Sequence, residues 1–147
     1  MPKCSEVMTR EPVCCVPAEP ISKAAEVMKR EDVGSVPVVE SRDDARLVGI
    51  VTDRDIVVKV VAGGRSVEGA KVQDVMTPNP VCCREDDDVS RAVSLMEERQ
   101  VRRMPVVAAD GRLSGIIAQA DIATRLHRDR TTGELVEAIS ESGTARR

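Results

Sequence analysis

The sequence predicts an α+β fold built from two βαββα units, packed with pseudo-two-fold symmetry. Three observations carry this. VMTREPVCC at 7–15 recurs as VMTPNPVCC at 75–83, a spacing of 68 residues. The same spacing brings VPVV at 36–39 onto MPVV at 104–107. After a two-residue slip in the next turn, LVGIVTDRDI aligns with LSGIIAQADI. Each copy is a small domain that cannot bury both faces of its own sheet, so the two must cover each other.

The elements follow in order. PVCCV and its counterpart read as short strands rich in Val and Cys. Ile21, Ala24, Ala25 and Met28 fall at helical spacing, as do Val89, Ala92, Val93 and Met96. Asp88 precedes the second of these helices and is placed to cap it. VPVV and MPVV are apolar strands whose internal Pro predicts an edge or irregular position. RDDAR and ADGR read as hairpin turns. LVGIV and LSGII close the hairpins, with Val36, Val38, Ile50, Met104, Val106 and Ile116 expected in the core. A second helix begins near residue 53 and near residue 119; Gly63 and Gly64 end the first of them. The units are 1–66 and 67–128. Residues 129–147 are left for a short helix, with Thr131 and Glu134 as its capping box, and a tail.

Composition removes several functions. Net charge is −3, and no basic face for nucleic acid stands out. The 147 residues include no Trp, Tyr or Phe, which excludes base stacking on aromatic rings. The longest apolar runs, such as IVVKVVA, are broken by Lys, so no membrane span is expected. The opening MPKCSEVMTREP lacks the apolar stretch of a secretory signal, and a cytoplasmic location is the expectation. Five cysteines, two pairs of them adjacent, do not make a secreted disulfide framework. In a strand, one member of each adjacent pair is expected to be buried. With a single histidine, His127, and no C-x-x-C spacing, no metal site is expected. No triad or carboxylate pair suggests catalysis.

TDRD at 52–55 sits where a strand meets a helix. The plain reading is a capping box, Thr52 with Asp55, which stabilises by about 1 kcal/mol and needs no ligand. Two features point further. Arg54 in the first turn opposes the helix dipole, and a bound anion would reverse that penalty. The second copy keeps Asp121 although Ala118 replaces the capping hydroxyl.

DVMTPNPV, the helix ending in Met, VPVVE, GIVTDRDI and their second copies resemble the cystathionine β-synthase (CBS) domain, present as a tandem pair over residues 3–127. The pattern is also similar to small stand-alone two-CBS proteins of bacteria, including the hypoxic response type. The resemblance implies two clefts between the units that commonly hold adenosine nucleotides, with AMP, ADP and ATP as the candidate ligands and no required cofactor. It implies no catalysis, and a homodimer that acts through an unidentified protein partner. It assigns Asp55 to a ribose, and Thr52 and Arg54 to the phosphate side. Met76, Val81 and Val101 would form the adenine wall, with Arg102 at the rim; plain core packing accounts equally for the apolar three. The weaker second cleft would combine Val33, Gly34 and Ser35 with Asp121, beside Ala118 and Ala120. The alternatives are a ligand-free structural or redox-responsive interaction dimer and, behind it, a metal-binding module.

Overall fold

The computed structural model describes residues 1–131. In chain order the elements are α1 (Cys4–Val7), β1 (Thr9–Arg10), α2 (Ile21–Glu31), β2 (Ser35–Val39), β3 (Leu47–Thr52) and α3 (Asp53–Asp55), which runs on as π-helical turns over Ile56–Val61. They continue with α4 (Val72–Val75), β4 (Thr77–Pro78), β5 (Cys83–Arg84), α5 (Val89–Arg99), β6 (Arg103–Val107), β7 (Leu113–Ala118) and α6 (Gln119–Thr131). Thr131, expected to open a short helix with Glu134, is instead the last described residue of α6; Glu134 and the rest of that expected helix lie outside the described residues.

Two sheets share one plan. β2, β3 and β4 form the first, in that order and antiparallel throughout. The second runs β1, β7, β6, β5, with only β5 and β6 parallel. Cys83 pairs with Val106 in β5–β6; its equivalent in the first repeat is a lone parallel bridge between Cys15 and Val38. The strands expected over PVCCV therefore shrink to one or two residues.

The repeats exchange their leading segments, which the linear repeat does not reveal. β1 belongs to the first copy but pairs with β7, placing Thr9 opposite Ile116. β4 belongs to the second but pairs with β3, placing Thr77 opposite Ile50. The short helices follow. Cys4 N donates to Asp87 O at 2.8 Å, and Val72 N donates to Glu19 O at 2.9 Å. Left-handed residues recur in the same register: Glu11 and Asn79, Asp32 and Gln100.

Each sheet buries one face under its helices. Val36, Val38 and Val51 pack with Ile21, Ala24 and Val27, while Met104, Val106 and Ile117 pack with Ala92 and Met96. Pro37, Val39, Pro105, Val107 and Ile116 point the other way by strand alternation and are buried as well, as expected where each repeat covers that face of the other. Ile50 is a correction: it lies half-buried, because it shares this second face near an open cleft while Val51 takes the core side. In α2 the core stripe runs through Val27, leaving Ala25 exposed. Asp88 stands at the N-cap of α5, but its carboxylate accepts from Lys3 Nζ at 2.9 Å and makes no cap bond. Pro105 is not at an edge, since β6 lies between β7 and β5. Both prolines sit where the outer pairing begins: Cys15 N donates to the Pro37 carbonyl, and Cys83 first pairs at Val106. Little pairing is lost by lacking an N–H there.

Candidate functional site

The strand-to-helix junction in the first repeat is the expected capping box. Thr52 Oγ1 accepts from Asp55 N at 3.0 Å, and Asp55 Oδ2 accepts from Thr52 N at 3.0 Å. The other Asp55 oxygen lies 3.3 Å from Lys59 Nζ, one turn on. Lys59 also donates to the Val75 carbonyl at 2.9 Å, tying the helix to the leading segment of the second repeat. Arg54 is exposed, with no side-chain bond among the described residues.

Across the ladder, Ser35 pairs with Thr52, and Asp53 N donates to Gly34 O at 2.9 Å. Directly opposed residues share a face, so Ser35, Thr52, Pro37 and Ile50 all point away from the helices and toward the second repeat. Ser35 Oγ is buried there without a hydrogen-bond partner.

The second repeat is built differently at the same place. Ala118 N donates to Asp121 Oδ2 at 3.0 Å, so Asp121 keeps the half of the box that needs no hydroxyl. That explains its retention without a ligand. Arg103 pairs with Ala118, and Gln119 N donates to Arg102 O at 3.0 Å. Arg125 donates to the Glu6 carbonyl at 3.4 Å, in the position Lys59 holds in the first repeat.

These contacts regroup the expected residues. Gly34 and Ser35, expected in the second cleft, lie against Thr52 and Asp53. Arg102, expected beside Asp55, lies against the start of α6, with Val101 exposed next to it. The reason is local: the two strands of one hairpin carry both groups, so they cannot separate. Met76 does come to the first repeat, half-buried against its core, whereas Val81 packs on the core of the second. Val33 is half-buried one residue before Gly34. Lys59 and Arg103 were not anticipated. The Asp55–Lys59 and Asp121–Arg125 spacings of four were a readable signal for the former. Two surface hollows lie elsewhere, one between Lys3 and Glu98 along α5, the other around Arg65, Gly69 and Asp74.

The CBS domain family model matches residues 4–62 and again 72–128, together most of the chain. The protein belongs to the CBS domain family. Hypoxic response protein 1 of Mycobacterium tuberculosis is 35% identical over 121 residues, covering 82% of either chain. A crystal structure of Hypoxic Response Protein I with two coordinated zinc ions superposes with a TM-score of 0.76 at 33% identity, covering 84% of this chain and 98% of that one. The CBS-pair protein CBSX2 of Arabidopsis thaliana, solved in complex with AMP, gives a TM-score of 0.73 at 26% identity, covering 86% and 97%. The chain spans 59% of the length of an uncharacterised Methanopyrus kandleri relative, 35% identical over 117 residues.

Two further features of this CBS pair bear on function. Among the described residues no group of three His, Cys, Asp or Glu side chains stands together, so the donors a zinc ion needs are not assembled there. Among those residues no helix is long and apolar enough to cross a membrane. Cys15 and Cys83 are buried and their neighbours Cys14 and Cys82 half-buried, as strand alternation requires. Burial pushes the Cys15 thiol up to about 11 and the Cys83 thiol up to about 12.

Proposed function

We propose that this CBS pair is a non-catalytic regulatory module that senses an adenosine nucleotide in the cleft at the first hairpin. The observation that supports this most is the Ser35 hydroxyl. A buried hydroxyl without a partner costs about 1–3 kcal/mol, and a ligand polar group would offset that. Around it stand the groups a ribose phosphate needs. The Asp55 carboxylate accepts the ribose hydroxyls by giving up Lys59 while keeping Thr52 N. Thr52 Oγ1 already accepts one bond and retains its proton for a phosphate oxygen. Arg54, and Lys59 once released, supply cations. Met76 offers an aliphatic surface to adenine. Val81, Val101 and Arg102 leave this assignment; the last two belong with Asp121.

Openness favours the same cleft. Ile50 is half-buried there, whereas its counterpart Ile116 is only 6% exposed. The AMP complex of CBSX2 supports the ligand class, and AMP, ADP and ATP are the ligands to test. Titration calorimetry with each is the direct experiment: heat with none of them sinks the reading. Because the chain has no Trp or Tyr, an adenine band retained through purification is also visible by ultraviolet absorbance.

Signal output requires a surface. Val57, Val58 and Val61 are 57%, 48% and 66% exposed on the turns after α3. We assign them to a homodimer in the cytoplasm, whose contacts with a protein partner the ligand alters. Sedimentation checks this: the wild type is expected to be a dimer at micromolar concentration and Val61→Asp a monomer.

A further inference from the structure

The exchanged helix α1 carries a sulfur onto the second repeat. Cys4 is fully buried there, with its amide bonded to Asp87 O and its thiol 3.8 Å from Asp88 O. Ser5 N also donates to Glu85 O at 3.0 Å, so α1 lies along the end of β5, where Cys4 and Cys83 share one apolar core. The equivalent junction in the first repeat provides an internal control. There Val72 takes the place of Cys4, above Cys15 in the place of Cys83, with the same backbone bond to the loop below. One junction thus buries two thiols in one core, and the other buries one thiol with a valine.

We propose that Cys4 and Cys83 are a redox-convertible pair, which a peroxide oxidises to a disulfide that fastens α1 to the sheet of the second repeat. The Cys4 sulfur attacks the peroxide; the O–O bond breaks, giving a sulfenic acid and one water. The Cys83 sulfur then displaces that oxygen as a second water and the S–S bond forms. Two thiols lose two electrons and two protons, and one peroxide becomes two waters. Neither sulfur reaches solvent in the closed fold, so the first step needs local opening of the four-residue α1. Burial also holds both thiols protonated at neutral pH. The pair is therefore a slow device that responds to sustained oxidant and reacts faster as pH rises. The cross-link joins positions far apart in sequence, so it constrains the unfolded chain strongly.

The test uses the full chain, folded, treated with hydrogen peroxide at pH 8.5 and then alkylated in denaturant. Tryptic fragments 4–10 and 72–84 are expected to be linked through Cys83, with two hydrogens lost from the intact mass. The Tm should rise by roughly 5–10 °C, as expected for a large closed loop. Val72→Cys should copy the pair at the first junction and add a second link, to Cys15. Cys4→Ala, which keeps the site small and apolar, should lose both the link and the Tm rise. Recovery of Cys4 and Cys83 as alkylated residues overturns the proposal. So does a link through Cys82, or a Tm rise that survives in Cys4→Ala.

Discussion

The two clefts occupy equivalent places and are finished in opposite ways. In the first, Ser35 faces Thr52, and two hydroxyls line the sheet where it meets the helix. In the second, Arg103 faces Ala118, putting a long cationic side chain opposite a methyl group. The carboxylate beneath is shared: Asp55 and Asp121 each accept a backbone N–H three residues back at 3.0 Å. Retention of the aspartate therefore follows from helix capping, and any difference in ligand binding must come from the groups that differ. Ile116 on the same face is 6% exposed, whereas Ile50 in the first cleft is half-buried.

The sharpest way to break this comparison is to remove each carboxylate. Both variants lose a similar backbone bond, worth about 1 kcal/mol, and Asp55→Ala loses in addition only the half-exposed Lys59 contact, so their stabilities should fall by similar amounts. Binding should not fall alike. Charge-assisted hydrogen bonds contribute about 1.5–3 kcal/mol each, so Asp55→Ala should weaken the nucleotide by roughly a hundredfold or more. Asp121→Ala should leave it within about threefold, since about 0.7 kcal/mol corresponds to that factor. Calorimetry on both variants decides, and equal losses would show that the clefts do not differ in function.

Next in size is the close packing of the exchanged strands. Gly49 and Gly115 sit at equivalent places in β3 and β7, each beneath a methionine of the incoming segment. A Cβ at Gly115 would lie 2.6 Å from the Thr9 carbonyl oxygen as well as 2.6 Å from Met8 Sδ. At Gly49 the close atom is Met76 Sδ at 2.5 Å, while the Thr77 carbonyl stands off at 3.1 Å. A thioether can swing aside; a paired backbone cannot. Gly115→Ala should therefore cost about 2–3 kcal/mol and Gly49→Ala about 1 kcal/mol, measured by urea unfolding. The reverse order would mean that β1 yields more readily than Met76 does.

What the sequence disclosed depended on the range of the interaction. Repeat, helices, hairpins and the Thr52–Asp55 box were legible because periodicity, turn residues and capping are local. The segment exchange was not. VMT carries no mark of which sheet it joins, and only the competition between two similar edges decides. The same blindness grouped Ser35 with Asp121 and Arg102 with Asp55, whereas strand pairing sets Ser35 opposite Thr52 and Arg102 against the start of α6. Alignment matches Ser35 with Arg103 and Gly34 with Arg102, but pairing of β2 with β3 and of β6 with β7 keeps each beside its own helix start. Ile50 was misplaced by one step of strand alternation, where a two-sided sheet gives two apolar faces and no contrast between them.

A smaller effect isolates the hydroxyl. Thr52→Ala converts the first junction to the second and should cost about 1 kcal/mol; Ala118→Thr should regain part of that in the other repeat. If Thr52→Ala is neutral to stability, the Asp55–Thr52 N bond alone holds the helix start, as the corresponding bond does at Asp121.

The smallest contrast is electrostatic. Lys3 and Lys71 are equivalent residues, each bridged to the N-cap of the neighbouring helix, Asp88 in one case and Pro20 in the other. Only Lys3 finds a carboxylate, at 2.9 Å. The Lys3 hydrogen bond and charge hold the Asp88 carboxyl below its usual range, and the same contact raises the Lys3 amine. A depressed carboxyl stabilises the fold above its unfolded pKa, near about 4, and that contribution is lost as pH falls through the folded value. A raised amine contributes below its unfolded pKa, near about 10, and is lost as pH climbs through the folded value. Between those limits the pair is fully formed, but both groups are in water and salt screens them. Lys3→Met should lower the urea midpoint slightly at pH 7, with the difference closing at pH 3 and in concentrated salt. Lys71→Met, which has no such carboxylate to lose, should show no pH-dependent difference. A Lys3→Met deficit that persists unchanged at pH 3 would assign the effect to packing of the lysine stem, and the two junctions would then differ in shape rather than in charge.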